Sequence, residues 1–115
     1  LPAICFVFSR KMVESYANSI ETCLHEEGST IPSTIQQECR MILQKRIPNY
    51  KEYLNLPEFT NITKLLEKGI AIHHSGILPV LREMTELLFS KGYIKLLFAT
   101  ETFAVANLHR ERLPR

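Results

Sequence analysis

Residues 93–104, Tyr-Ile-Lys-Leu-Leu-Phe-Ala-Thr-Glu-Thr-Phe-Ala, constrain this chain more than any other stretch. Six of the first seven are apolar, and the run then turns polar at Thr100-Glu101-Thr102. The pattern reads as a buried strand whose carboxyl end presents two hydroxyls and a carboxylate. In open parallel sheets ligands bind at the carboxyl ends of the strands, so chemistry is sought there. Spacing alone fits a core strand followed by a polar turn equally well.

Two further apolar runs have the same polarity. Ile4-Cys5-Phe6-Val7-Phe8 leads into Ser9-Arg10-Lys11, and Ile70-Ala71-Ile72 leads into His73-His74-Ser75-Gly76. If the three strands are parallel, their polar groups converge on one edge of the sheet.

A length of 115 residues allows one domain with a modest core. A formal net charge of +2 does not by itself imply nucleic-acid binding. The cysteines Cys5, Cys23 and Cys39 lack metal-ligand spacing and fall on apolar positions of the predicted elements. Buried free thiols in a reducing, intracellular compartment are therefore expected. No apolar run reaches the length of a membrane span. The start at Leu1-Pro2-Ala3, with neither methionine nor a basic leader, reads as a cut inside a longer protein.

Between the strands the periodicity turns helical. Ser9 can cap a helix whose apolar stripe is Met12, Val13, Tyr16, Ala17, Ile20, Cys23 and Leu24, ending at Gly28. Residues 33–69 read as a helical insertion. Ser33 and Gln36 have capping-box spacing, and Ile35, Cys39, Ile42 and Leu43 mark one face of a helix running to about Ile47. Residues 50–57 have no clean period. Thr60 is a candidate cap for a short helix carrying Ile62, Leu65 and Leu66, which Gly69 would end. Pro79 suits the first position of a last helix that buries Val80, Leu81, Met84, Leu87 and Leu88, and the third strand begins at Tyr93. Lys45, Arg46 and Lys51 read as solvated surface. The fold expected is α/β, with a parallel sheet of at least three strands flanked by helices.

The polar clusters admit a plain and a functional explanation. His73-His74 suggests a metal pair, but adjacent residues on a strand point to opposite faces, and no third ligand stands at a supporting spacing; no metal site is expected. His74, Ser75 and the amide of Gly76 form either a structural turn around a half-buried histidine or a donor cluster for a backbone phosphate. Ser9-Arg10-Lys11 is either a cap with two surface cations or a phosphate site at a helix N-terminus. Thr100 and Thr102 either bond the local backbone or offer hydroxyls to phosphates. No G-x-x-x-x-G-K-[ST] loop is present to hold a triphosphate.

Taken in order, Leu-Pro-Ala-Ile-Cys-Phe-Val-Phe-Ser-Arg-Lys, Gly-Ile-Ala-Ile-His-His-Ser-Gly-Ile-Leu-Pro-Val-Leu-Arg-Glu and Leu-Phe-Ser-Lys-Gly-Tyr-Ile-Lys-Leu-Leu-Phe-Ala-Thr-Glu-Thr-Phe-Ala resemble the second RecA-like domain of the superkiller-type DExH-box RNA helicases of superfamily 2. The resemblance covers residues 1–104. It implies that this stretch is part of an ATP-dependent, 3′ to 5′ RNA helicase used in RNA processing or decay. It further implies RNA-backbone contacts from Ser9, Arg10, His74, Ser75, Gly76 and Thr100, and coupling of the RNA and nucleotide sites through Glu101 and Thr102. ATP and Mg2+ would be bound by the parent helicase and not by this stretch alone. The implied partners are single-stranded RNA, the first RecA-like domain of the same protein and exosome-associated proteins, in nucleus or cytoplasm.

The match departs after Ala104. Residues 105–115 form a divergent basic tail in place of the family's Met-Gly-x-Asn-Met-Pro pattern, and only with a one-residue deletion does Asn107 become the family's nucleotide-contacting asparagine. Motif VI, the P-loop and the DExH box do not occur in the chain. The resemblance therefore implies a stretch inactive as an ATPase in isolation. The alternative is a non-catalytic RNA- or protein-binding module derived from such a helicase.

Overall fold

The computed structural model describes residues 2–100. Its elements run β1 (Ala3–Phe6), α1 (Arg10–Asn18), α2 (Ile31–Arg46), α3 (Tyr50–Tyr53), α4 (Pro57–Glu67), β2 (Ile70–His73), α5 (Pro79–Ser90) and β3 (Leu96–Ala99). The three strands form one parallel sheet in the order β1-β3-β2. This is the α/β arrangement of a parallel sheet flanked by helices that the sequence predicts, and it is consistent with a RecA-like domain.

The strand that carries residues 96–99 is the central one, with Phe6, Ala99 and His73 level across the sheet. The ladder continues past these residues, because the Val7 amide donates to the Ala99 carbonyl (3.1 Å) and the Thr100 amide to that of His73 (3.2 Å). Ser9-Arg10-Lys11, the residues after His73, and Thr100 therefore leave the sheet at one edge.

The chain crosses from β1 over β3 to β2 and then returns to β3. The first connection carries α1, α2, α3 and α4, and the second carries α5. Helix α1 packs on β2 and β3 across one face, while α2, α4 and α5 pack against one another as a second layer. Ile35, Leu43, Leu66, Leu81, Met84, Leu88 and Leu97 lie in the resulting core. Strands β1 and β2 both flank the central strand, but β2 is buried throughout whereas β1 has Ile4 and Phe6 exposed. Among the described residues no helix is long and apolar enough to cross a membrane.

Several boundaries differ from the sequence expectation. Helix α1 ends at Asn18 and does not run to Gly28. Asn18 Nδ2 donates to the Glu14 carbonyl (2.8 Å), and the Ser19 hydroxyl donates to that of Tyr16 (2.7 Å). These short polar side chains bond the backbone of the last turns, Ser19 satisfying a terminal carbonyl, and compete with continuation of the helix. Cys23 and Leu24 consequently sit exposed in a loop, tied to the end of α4 by the Leu24 amide on the Lys68 carbonyl (2.7 Å). The expected burial of the cysteines holds for Cys39, but Cys5 is half-buried.

Helix α2 starts before Ser33, because Pro32 supplies a pre-set φ in its first turn. Likewise α4 begins at Pro57, so Thr60 is an interior residue and not a cap. In α5, Thr85 and Phe89 are buried, while Leu87 is exposed and Val80 half-buried. The third strand proper starts at Leu96 and not at Tyr93. Gly69 does end its helix: its φ is +86°, and a Cβ there would lie 3.2 Å from both the His25 ring and the Lys95 side chain.

Candidate functional site

The site is built where α1 begins, where β2 gives way to the loop before α5, and where β3 ends. Ser9 has extended backbone (φ −130°, ψ 147°), and its hydroxyl oxygen accepts the Met12 amide at 3.1 Å. This N-cap fixes the direction in which α1 leaves the sheet edge, and with it the exit of Arg10. The cap uses an oxygen lone pair and leaves the hydroxyl proton available for donation.

Arg10 crosses to the β2–α5 loop. Its Nη2 donates to Ser75 Oγ at 2.6 Å, linking residues 65 positions apart. Both residues are exposed, so the pair lies at the surface, and the guanidinium keeps donors beyond the one given to Ser75.

His74 is only 4% exposed. Its Nδ1 accepts the Gly76 amide at 3.0 Å, and its Nε2 lies 2.8 Å from Glu14 Oε2. Since Nδ1 is the acceptor, Nε2 carries the proton and donates to Glu14. Both ring nitrogens and the Gly76 amide are thus engaged inside the cluster. A Cβ on Gly76 would meet the His74 ring at 3.1 Å and Arg10 Nη1 at 3.2 Å, so glycine is what allows loop, ring and guanidinium to close on one another.

His73 takes the other face of the sheet. Its Nε2 lies 2.8 Å from Glu86 Oε2 on α5. Burial holds its pKa below the usual value, against the opposing pull of the Glu86 carboxylate. The contact is accordingly a hydrogen bond from a neutral imidazole. The two neighbouring rings diverge toward different helices, the alternation expected of a strand. Among the described residues no group of three or more His, Cys, Asp or Glu side chains is placed to hold a metal ion.

Thr100 follows the central strand and is half-buried at the same edge. Glu101, Thr102, Asn107 and the basic tail lie outside the described residues. At the start of α5, Leu78 has no side-chain cap of its own; its amide donates to Glu58 Oε1 on α4 at 3.3 Å, putting a carboxylate at the positive end of the helix.

Five sequence-predicted residues, Ser9, Arg10, His74, Ser75 and Gly76, thus come together, and Thr100 shares their edge of the sheet. The residue that sequence reasoning missed is Glu14. The signal was present: Glu14 stands four residues after Arg10, so the two occupy one face of α1. What local pattern does not show is that this face meets His74, 60 residues further along the chain.

No family model matches the chain. Individual proteins do. It is 46% identical over 109 residues to the antiviral helicase SKI2 of Saccharomyces cerevisiae, an alignment covering 91% of this chain and 8% of that protein. It is 37% identical over 106 residues to the superkiller complex protein 2 of Homo sapiens, again 91% of this chain and 8% of that protein. With the exosome RNA helicase MTR4 of Homo sapiens the identity is 38% over 107 residues, 90% of this chain and 10% of that protein. The chain therefore spans a tenth or less of the length of these relatives.

Proposed function

This chain is homologous to a segment of the superkiller and Mtr4 DExH-box RNA helicases, and from that premise we propose that it contributes RNA-backbone contacts to an ATP-dependent RNA helicase of RNA decay or processing. The observation that carries the proposal is the Arg10–Ser75 pair, held at the surface where three parallel strands end level. A surface guanidinium and hydroxyls fixed at strand ends suit phosphates and do not read bases, which is what a protein moving along RNA requires. Ser9, Arg10, Ser75 and Thr100 are the proposed donors. His74 and Gly76 shape the loop that presents Ser75.

ATP and Mg2+ belong to this proposal through the parent protein. The described strand ends are Ser9-Arg10-Lys11, His74-Ser75-Gly76 and Thr100, with no glycine-rich loop to wrap a triphosphate. These residues do not fit a nucleotide site by themselves, and no step of ATP hydrolysis is derived through them. The first RecA-like domain of the parent would supply that site, with Glu101 and Thr102 linking it to RNA. Movement 3′ to 5′, an association with the exosome and an intracellular setting belong to the same proposal.

Binding of single-stranded RNA to the chain, measured at several salt concentrations, tests the proposal. Affinity that falls with salt, and that weakens in Arg10→Ala, Ser75→Ala and Thr100→Ala, is the expected result. Binding unaltered in all three variants overturns it. Salt-sensitive binding together with an isolated chain that hydrolyses no ATP would match both the helicase-segment reading and a non-catalytic RNA-binding module. The two then separate by whether the Thr100→Ala change abolishes RNA-stimulated ATPase activity in the full-length parent.

A further inference from the structure

We infer that Glu14 is a positioning residue for the RNA contact, acting through His74. This inference rests on the RNA-binding reading above and extends it to a side chain that contacts no RNA itself.

Two cross-links join the first turns of α1 to the β2–α5 loop: Arg10 to Ser75 at 2.6 Å, and Glu14 to His74 at 2.8 Å. Arg10 and Glu14 lie one helical turn apart on the same face, so the loop is held at two points along α1. The second cross-link sets the first. Glu14 accepts a hydrogen bond from Nε2–H and, together with the Gly76 amide donating to Nδ1 at 3.0 Å, fixes the tautomer. This closes the 74–76 turn and presents the Ser75 hydroxyl to Arg10. His74 is almost completely buried, and Glu14 is the carboxylate that partners its Nε2. Glu14 itself is half-exposed, with 49% of its side chain accessible, and its carboxylate stands within the first turns behind Arg10.

The sign of the effect separates this role from simple electrostatics. A carboxylate beside an RNA site repels phosphate, so removing it should tighten binding. The positioning role predicts the reverse. In the full chain, Glu14→Ala should weaken binding to a single-stranded RNA oligomer by about tenfold, the scale of one charge-assisted contact. Glu14→Gln keeps an oxygen that accepts from Nε2 and should retain most of the affinity. Adding Arg10→Ala to Glu14→Ala should cost little more, because the two act in series. The 15N shifts of the His74 ring should report one tautomer in the wild type and in Glu14→Gln, and a mixture in Glu14→Ala. A change in fold stability alone would not produce that ring signature.

Wild-type or tighter binding by Glu14→Ala, alongside a weakened Arg10→Ala, overturns the positioning role and leaves the RNA reading standing. Losses that multiply in the double variant overturn it as well. An Arg10→Ala chain that binds like wild type overturns the RNA reading itself.

Discussion

Arg10 and Ser75 are 65 residues apart in the chain, and their side chains meet at 2.6 Å. The contact exists because β1 and β2 flank β3 in parallel and in level register. Whatever follows each strand is then delivered to the same edge. The apolar runs thus set the sheet, the sheet sets the meeting of the loops, and that meeting is the proposed site.

Gly76→Ala tests how closely the site is packed. The added methyl would meet the His74 ring and Arg10 Nη1. The ring is fixed at both nitrogens, whereas Arg10 is exposed, so Arg10 should give way and part from Ser75. Stability should fall by about 1 kcal/mol, the low end for overpacking, while RNA affinity falls as far as in Arg10→Ala. Denaturant unfolding and RNA titration of the same preparation separate the two effects; a variant with wild-type affinity would mean that the loop has room to spare.

Ser9→Ala removes the cap that starts α1. A loss of about 1 kcal/mol is expected from this alone, with an unchanged denaturant slope. No loss of stability would show that tertiary packing of α1, through Val13 and Ala17, holds the helix without the cap.

The pH dependence follows from two buried histidines. His25 is buried with neither ring nitrogen hydrogen-bonded to a described residue, and burial together with nearby Lys95 lowers its pKa from 6.5. Burial lowers that of His73 too. A lowered folded-state pKa means that the unfolded chain binds more protons at low pH. The stability contributed is therefore whole above about pH 6.5 and is lost as the pH falls below it, through the lowered values. His25→Leu should flatten part of that slope and add up to about 1 kcal/mol at pH 7, because it removes two unpartnered buried nitrogens. Thermal midpoints between pH 5 and pH 8 check this, and an unaltered slope in His25→Leu would contradict it.

Thiol reactivity should follow burial. Burial pushes the Cys39 thiol up to about 12, with Glu67 and Glu38 adding to the effect. Cys23 is exposed and Cys5 half-buried. Alkylation of the native protein at pH 8 should label Cys23 quickly and Cys39 only after unfolding. Rapid labelling of Cys39 under native conditions would show that α2 opens locally.

Much of this architecture was legible in the sequence, and the misses have definite causes. Ile70–His73 and the start of α5 at Pro79 were readable because buried runs and proline carry strong local rules. The end of α1 was misread because Ile20, Cys23 and Leu24 continue its period, while Asn18 and Ser19 compete with its continuation through side-chain bonds to backbone that periodicity does not register. Spacing alone places Leu87 in the core of α5, but α5 turns Thr85 and Phe89 inward instead. At the site, His74 was recognised as a polar residue at a strand end. Its partner Glu14 was not, because a contact spanning 60 residues depends on the crossover and not on local pattern.

The salt dependence of single-stranded RNA binding by the chain and by Arg10→Ala tests most directly whether this strand-end cluster holds RNA. If Arg10 holds one phosphate, removing it should weaken binding and make the slope of log K against log salt shallower by about 0.7. A slope and an affinity equal to those of the wild type would mean that Arg10 holds no phosphate, and the strand-end cluster would then be a structural clasp between α1 and the loop before α5.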